Sequence, residues 1–367
     1  MIIWVLLGFV ITVFGISRFY LGGEDLRRYD EPIAPPFQDS PPPQGALHKV
    51  TEVMAGLSSA TEDVPLRQRL PALRDCFDAM GDNVSFDGDI MPLAHPELAG
   101  EWLVPANADP GTRLLYLHGG AWMMGSARSH RSITTRLATI IGGPVLALDY
   151  RLLPEHHRHI GIQDCRNAYR WLIDHSPVGP ASASRLYIAG DSAGGNLTLS
   201  VINWIRDHGL QQPHAAVALS PATDCSLTSP SLRANRATDP ILGHQFGQLA
   251  ALPGWTFRWI AWLMHRRRPS DPMISPIYDD LSGLPPVLVQ ASNSEMLIDD
   301  ARRYVNKARS CNSPVQLQTW TDMVHVWHMF PQALPQSEQA FAEIGKFLAG
   351  ANGRAPDSPP AQSLRAK

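Results

Sequence analysis

The sequence predicts an α/β architecture in which helices cover a mostly parallel sheet. Three observations carry that prediction. Short apolar runs alternate with amphipathic stretches through the middle of the chain, two of those runs end in glycine-rich turns, and the apolar content suits a large core. The chain has 367 residues, of which 44% are hydrophobic and 18% charged. Its 31 basic and 34 acidic side chains leave a net charge of −3. So even a balance lacks the basic stripe that a nucleic-acid partner requires. Cys76, Cys165, Cys225 and Cys311 are scattered, with no C-x-x-C pair, which excludes a disulfide framework and a zinc ribbon.

The first 16 residues (MIIWVLLGFVITVFGI) carry no charged side chain. A helix of that run rises about 25 Å, just under a 30 Å hydrocarbon layer. Phe19, Tyr20 and Leu21 extend it towards the interface, with Arg18 snorkelling. No basic residues precede the run and no small-residue cleavage site follows it. Residues 1–21 are therefore expected to form a retained, single-pass N-terminal membrane helix rather than a cleaved signal. Arg18, Arg27 and Arg28 follow the uncharged run of residues 1–16, which by the positive-inside rule puts the rest of the chain on the cytoplasmic side. Residues 22–47, proline-rich over 31–44, are expected to be a semi-rigid tether. Residues 48–349 then make the folded domain, and 350–367 a disordered tail without apolar periodicity.

Residues 113–117 (RLLYL), 144–148 (PVLAL), 185–189 (RLYIA), 215–219 (AAVAL), 286–290 (PVLVQ) and 315–320 (VQLQTW) read as strands, with 84–86 and 101–104 as an antiparallel start. Ile162, Cys165, Ala168, Tyr169, Leu172 and Ile173 recur at spacings of three and four, one face of a helix. Further helices are expected from Asn196 to His208 and around Phe341, Ile344 and Leu348. Residues 48–80 and 225–270 break the alternation and are too long for ordinary connections. They are read as a helical cap over the C-terminal ends of the strands, where open parallel sheets bind ligands. Trp122, Trp255, Phe257, Trp259 and Trp262 suggest an aromatic lining beneath it.

The chemistry centres on Gly190-Asp191-Ser192-Ala193-Gly194-Gly195, between the RLYIA strand and a helical stretch. A G-x-S-x-G turn in that setting lifts the serine hydroxyl clear of the sheet, and a Cβ at the flanking glycines would collide with backbone. The helix that follows aims its first amides at the serine, favouring a developing negative charge. His118-Gly119-Gly120-Ala121-Trp122 follows the RLLYL strand. The N–H groups of Gly119 and Gly120, with that of Ala193, are expected to form an oxyanion hole.

A serine nucleophile needs a base, and the base an orienting acid. Glu295 follows PVLVQ and His325 follows VQLQTW, each just past a strand's end. The order, acid and then histidine, is the one this strand–turn–helix setting requires. Asp299 and Asp300 fall inside the next helix, Asp322 is too close to His325 to orient it, and His328 stands one helical turn further on. His118 is expected to brace the glycine loop. His156, His157 and His159, near Asp164, have no second ligand pair at zinc-like spacing, so no metal is expected.

HGGAW, DYRLLPEH (149–156), GDSAGG, SPATD (220–224), SEMLIDDA (294–301) and DMVHVWHMF together resemble the bacterial hormone-sensitive-lipase-like family of α/β-hydrolases. The resemblance runs from about residue 50 to 349, in the family's order and spacing. It implies an eight-stranded α/β-hydrolase core with helices on both faces and a cap built from N-terminal helices and a later insertion. It implies a carboxylesterase for short to medium acyl esters, without a cofactor. Ser192 would be the nucleophile, Glu295 the acid, His325 the base, and Gly119, Gly120 and Ala193 the oxyanion donors. Four features depart from the family pattern, the first being that the acid is Glu295 rather than the commoner Asp. Ala121 stands where the loop usually has a third glycine, HHRHIGIQD after Glu155 lacks the usual proline-containing run, and the apolar N-terminus is an addition. Family members often dimerise, so the partners expected are a small-molecule ester, a membrane and a second copy of the chain. Amidase, lactonase or carbohydrate deacetylase chemistry would use the same triad, and a binding protein that had lost catalysis would keep the fold. A chymotrypsin-like protease is excluded, because its histidine and aspartate would precede the serine.

Overall fold

The computed structural model describes residues 2–33, 35–37, 42–250 and 252–352. Eight strands share one sheet: β1 (Gly88–Pro92), β2 (Ala99–Pro105), β3 (Thr112–Leu117), β4 (Val145–Asp149), β5 (Arg185–Asp191), β6 (Ala215–Leu219), β7 (Val287–Ser292) and β8 (Val315–Trp320). Their spatial order is β1-β2-β4-β3-β5-β6-β7-β8. β2 pairs antiparallel with β1 and β4, and the remaining pairs are parallel. In the β3–β5 register Leu117 stands opposite Gly190. That register sets the two glycine-rich turns side by side at one edge of the sheet.

Both faces of the sheet are covered, which is why its strands read as continuous apolar runs. Leu115, Leu117, Leu146 and Leu148 pack in one core with Ile162, Cys165, Ala168, Tyr169 and Leu172 of helix α5 (Arg158–Asp174). Leu114, Tyr116, Val145 and Ala147 pack on the opposite side with Ile133 and Leu137 of α4 (Arg131–Ile141) and Phe341, Ile344 and Leu348 of α11 (Pro335–Ala351). Helices α6 (Ala193–Asp207) and α10 (Ile298–Ser310) complete the first layer. The cap comprises α2 (Ala46–Ser59), α3 (Leu66–Asp78), α7 (Ser231–Ala234), α8 (Leu242–Ala250) and α9 (Gly254–His265). Arg74 of α3 donates to the carbonyls of Met123 and Leu153 at 2.7 and 2.8 Å, in the loops after β3 and β4. These bonds place α3 at the C-terminal ends of β3 and β4.

Three expectations need correction. The antiparallel start is β1 at Gly88 rather than residues 84–86. A Cβ on Gly88 would stand 2.3 Å from the Val104 carbonyl oxygen, so the strands close only there, and Ile90 and Met91 pair with Leu103 and Trp102. Helix α1 (Ile2–Phe19) forms where the membrane helix was expected, yet among the described residues no helix is long and apolar enough to cross a membrane. Its 18 residues rise about 27 Å, short of a 30 Å layer, and Arg18 sits in its last turn.

The tether is also not free along its first part. Leu21 and Leu26 are buried, Glu24 pairs with Lys307 at 2.5 Å, Asp30 pairs with Arg303 at 2.6 Å, and Asn306 donates to the carbonyls of Tyr29 and Pro32. Two aliphatic side chains and two acids on this segment match the basic, partly apolar face of α10. Residues 34, 38–41 and 353–367, covering parts of the expected tether and tail, lie outside the described residues.

Candidate active site

Ser192 occupies the turn between β5 and α6 with φ 50° and ψ −114°, a strained conformation for a residue with a side chain. Backbone bonds hold it there. Ser192 N donates to the Leu219 carbonyl at 2.7 Å, and its own carbonyl accepts from Ala222 N at 3.2 Å. A Cβ on Gly194 would lie 1.9 Å from the Leu117 carbonyl oxygen, and one on Gly190 2.5 Å from that of Gly194. Only glycine fits at either flank.

The structure brings Ser192, His325 and Glu295 together from three separate loops. His325 Nε2 lies 2.9 Å from Ser192 Oγ, and His325 Nδ1 lies 2.8 Å from Glu295 Oε2. Glu295 is fully buried, and its other carboxylate oxygen accepts from Ser292 N at 3.0 Å. Burial raises the Glu295 pKa above the usual carboxylate value, and the hydrogen bond from His325 offsets only part of that. Burial also works against charge on His325, but the bond to Glu295 and its negative charge outweigh it. The imidazole is therefore a stronger base than a free histidine.

The rival residues sit elsewhere. Asp300 lies within α10 and accepts from the backbone N–H groups of Thr223 and Asp224 at 2.8 and 2.9 Å. Burial and the nearby Asp224 charge raise its pKa to about 7. Asp299 accepts from Ser231 N, and Asp322 from Ser294 Oγ at 3.1 Å. His328 meets Gln290 Oε1 at 2.9 Å, and burial lowers its pKa to about 3, so it packs as a neutral ring.

One expected oxyanion donor is already engaged. Gly119 N–H donates to Asp191 Oδ1 at 2.9 Å and so is turned away from the serine. From Gly120 to Trp122 the backbone is left-handed, with φ of 107°, 54° and 61°, which swings the next amides round. Among the described residues no acceptor takes the N–H groups of Gly120, Ala121 or Ala193. Of the three expected donors, Gly120 and Ala193 thus keep an N–H without an acceptor among the described residues and Gly119 does not, while Ala121, not among those expected, also keeps one. The run of small residues after His118 contained that signal, but not the one-residue phase.

Asp191 anchors this loop from below. It is buried, accepts from Tyr116 Oη at 2.6 Å as well as from Gly119, and lies 3.4 Å from His130 Nε2. Burial opposes charge on both partners, but their attraction prevails, so the Asp191 pKa is lowered and that of His130 raised. His118 Nδ1 lies 2.8 Å from the Gly119 carbonyl and its ring stacks on Tyr150 at 4.3 Å, the bracing role expected of it.

The acid loop is clamped by the cap, through residues the sequence reading missed. Asn235 Nδ2 donates to the carbonyls of Asn293 and Glu295 at 2.7 and 2.9 Å. Asp239 accepts from Met296 N at 2.8 Å and from Leu242 N at 2.9 Å. Single polar residues in an irregular insertion leave no periodic trace. Two of the expected lining tryptophans face another way. The Trp255 side chain is exposed, and Trp262 borders a surface cavity with Tyr20, His157 and His159. Trp122 does reach the site, donating from its indole to the Ala193 carbonyl at 3.2 Å.

A family model described as an alpha/beta hydrolase fold matches residues 114–329. An acetyl-hydrolase of Streptomyces hygroscopicus is 37% identical over 267 residues, 72% of this chain and 84% of its own length. An esterase of Acinetobacter venetianus is 33% identical across 70% of this chain and 81% of its own length. The crystal structure of an esterase from the bacterial hormone-sensitive lipase family superposes with a TM-score of 0.71 at 33% identity, covering 86% of this chain and 99% of that one. These likenesses extend over the same strands and loops that bear Ser192. The chain belongs to the hormone-sensitive-lipase-like group of α/β-hydrolases and is a carboxylic ester hydrolase.

Proposed function

We propose that this hydrolase cleaves short- to medium-chain acyl esters through an acyl-enzyme on Ser192, while α1 attaches it to a membrane. The observation that carries the catalytic reading is the unbroken chain of hydrogen-bond contacts from Ser192 Oγ through His325 to Glu295, at 2.9 and 2.8 Å. His325 Nε2 takes the hydroxyl proton as Oγ attacks the ester carbonyl, and Glu295 stabilises the imidazolium that forms. The N–H groups of Gly120, Ala121 and Ala193 receive the oxyanion, each such donor being worth about 3 kcal/mol of barrier. His325 then returns the proton to the leaving alcohol, and water repeats the attack on the acyl-enzyme.

The relative named acetyl-hydrolase supports the short end of the acyl range, as does the Ala121 methyl beside the oxyanion amides. Ser192→Ala should lower kcat/KM on p-nitrophenyl butyrate by at least about 10⁴-fold. Full activity in that variant, or maximal rates on sixteen-carbon esters, would overturn the reading.

Membrane attachment is supported by α1, whose Trp4, Val10, Ile11, Phe14 and Phe19 are exposed, with Arg18, Arg27 and Arg28 beyond them favouring the cytoplasmic side. The full-length chain should stay with membranes through an alkaline carbonate wash. Its release would remove the membrane part of the proposal and leave the catalytic part standing.

A further inference from the structure

We propose that a basic cavity at the foot of α1 binds the phosphate headgroup of an anionic lipid and so seats the cap against the bilayer surface. The cavity, about 760 Å³, is bordered by Tyr20, Trp262, Arg266, Arg268, His157 and His159. Arg267 and Asp271 also border it but pair with each other at 2.9 Å, so the cavity's carboxylate is already neutralised. Arg266 and Arg268 are exposed, and among the described residues neither has a carboxylate partner. The Arg268 guanidinium lies 5.6 Å from the centre of the Tyr20 ring. Two uncompensated guanidinium groups, a tyrosine and a tryptophan around one hollow suit a phosphodiester set between water and hydrocarbon.

The surroundings specify a lipid rather than a free anion. Ser17 Oγ donates to the Trp255 carbonyl at 3.1 Å and Arg258 to the Ser17 carbonyl at 3.4 Å, joining the end of α1 to α9. The joined helices expose Phe14 and Phe19 from one and Trp255, Leu263 and Met264 from the other. Beyond Tyr20 the chain is strapped down. Ser270 Oγ donates to the Gly22 carbonyl at 3.2 Å and Lys307 pairs with Glu24. The cap therefore cannot swing away from whatever α1 enters. Apolar side chains flank the cavity on two helices, and its charge is opposite to that of an anionic leaflet.

The helix that Arg266 caps also packs against the loop after β3. His265, next to Arg266, meets the Trp122 ring edge-on at 5.2 Å, and Trp122 is bonded to Ala193. The inference goes beyond ester hydrolysis and rests on the attachment of α1 to membranes.

The test uses the full-length chain carrying Ser192→Ala, so that no lipid is consumed, floated with phosphatidylcholine vesicles with or without one third phosphatidylglycerol. Phosphatidylglycerol should raise partitioning roughly 25-fold at low salt, about five-fold per arginine, and R266Q/R268Q should abolish that gain. In the chain with Ser192 intact, the same double substitution should leave hydrolysis of p-nitrophenyl acetate unchanged within about two-fold. A full phosphatidylglycerol gain in R266Q/R268Q, or none in the parent, overturns the proposal while flotation with phosphatidylcholine alone keeps the α1 reading. Displacement from the vesicles by millimolar inorganic phosphate would make the cavity a free-phosphate site and overturn the lipid assignment. Failure to float with either vesicle would overturn both the α1 reading and the proposal built on it.

Discussion

Glu295 sets the working pH of His325. Because the carboxylate raises the imidazole pKa against the pull of burial, kcat/KM should rise on its acid limb at a pH above the ordinary histidine value. Glu295→Gln leaves the burial and removes the charge, so the limb should move to lower pH while kcat falls by about 10³–10⁴-fold. An unmoved limb in a pH profile on p-nitrophenyl butyrate would show that Glu295 does not act on His325. Asp191 is the other decisive carboxylate, since by accepting from Gly119 N–H it fixes the phase of the loop proposed to supply the oxyanion donors. Asp191→Ala strands Gly119 N–H and Tyr116 Oη in a buried site and leaves His130 without its counter-charge. Urea unfolding should show a loss of about 3–5 kcal/mol. The Asp191 pKa is lowered, so its share of stability is present above the unfolded value and fades as pH falls through the folded one. The His130 pKa is raised, so its share is complete below the usual histidine value and fades as pH rises through the folded one. The stability gap between parent and Asp191→Asn should therefore be widest in mildly acidic solution and narrow towards alkaline pH.

At the scale of elements, the site depends on two clamps between the cap and the sheet. Arg74 of α3 spans the loops after β3 and β4, while Asn235 and Asp239 hold the acid loop after β7. Asn235→Ala frees the Asn293 and Glu295 carbonyls and should lower kcat about ten-fold or more through misplacement of the carboxylate, with KM little changed. Steady-state kinetics check this, and an unchanged kcat would assign Asn235 to packing alone. How legible each element was in the sequence follows from whether its cause was local. The elbow was legible because its G-x-S-x-G pattern is complete within five residues, although the Leu117 carbonyl that excludes a side chain at Gly194 comes from the neighbouring strand. The strands were legible because burial on both faces leaves only apolar side chains to read. The phase of the oxyanion loop was not, since it hangs on Asp191, more than seventy residues away. The clamp at Asn235 was hidden for the same reason, its partners lying about sixty residues downstream.

For the whole molecule, the strap from Leu21 to Asp30 turns an expected spacer into part of the domain. Arg303 is nearly fully buried and meets Asp30 at 2.6 Å and Thr228 Oγ1 at 3.1 Å. Its side chain therefore links the N-terminal segment to the loop after β6. Arg303→Ala should destabilise the fold by about 3 kcal/mol or more, because Asp30 and Thr228 lose a shared partner in a half-buried setting. A change within about 0.5 kcal/mol in urea unfolding would mean that the strap lies on the domain without supporting it. Sequence alone gave no sign of this docking, because a short polar stretch leading into a proline-rich run reads as a spacer unless its partner helix is known. Under the membrane attachment proposed above, a fixed α1 exit would set which face of the cap meets a lipid surface.

The central claim is that the hydroxyl of Ser192 is the activated nucleophile of this chain. Intact-protein mass spectrometry after brief exposure to a fluorophosphonate tests it most directly. One adduct per chain is expected, on the peptide containing Ser192, with labelling slowed by at least about 10³-fold in His325→Ala. An unlabelled chain, an adduct on another residue, or equal labelling rates in the two proteins would contradict it.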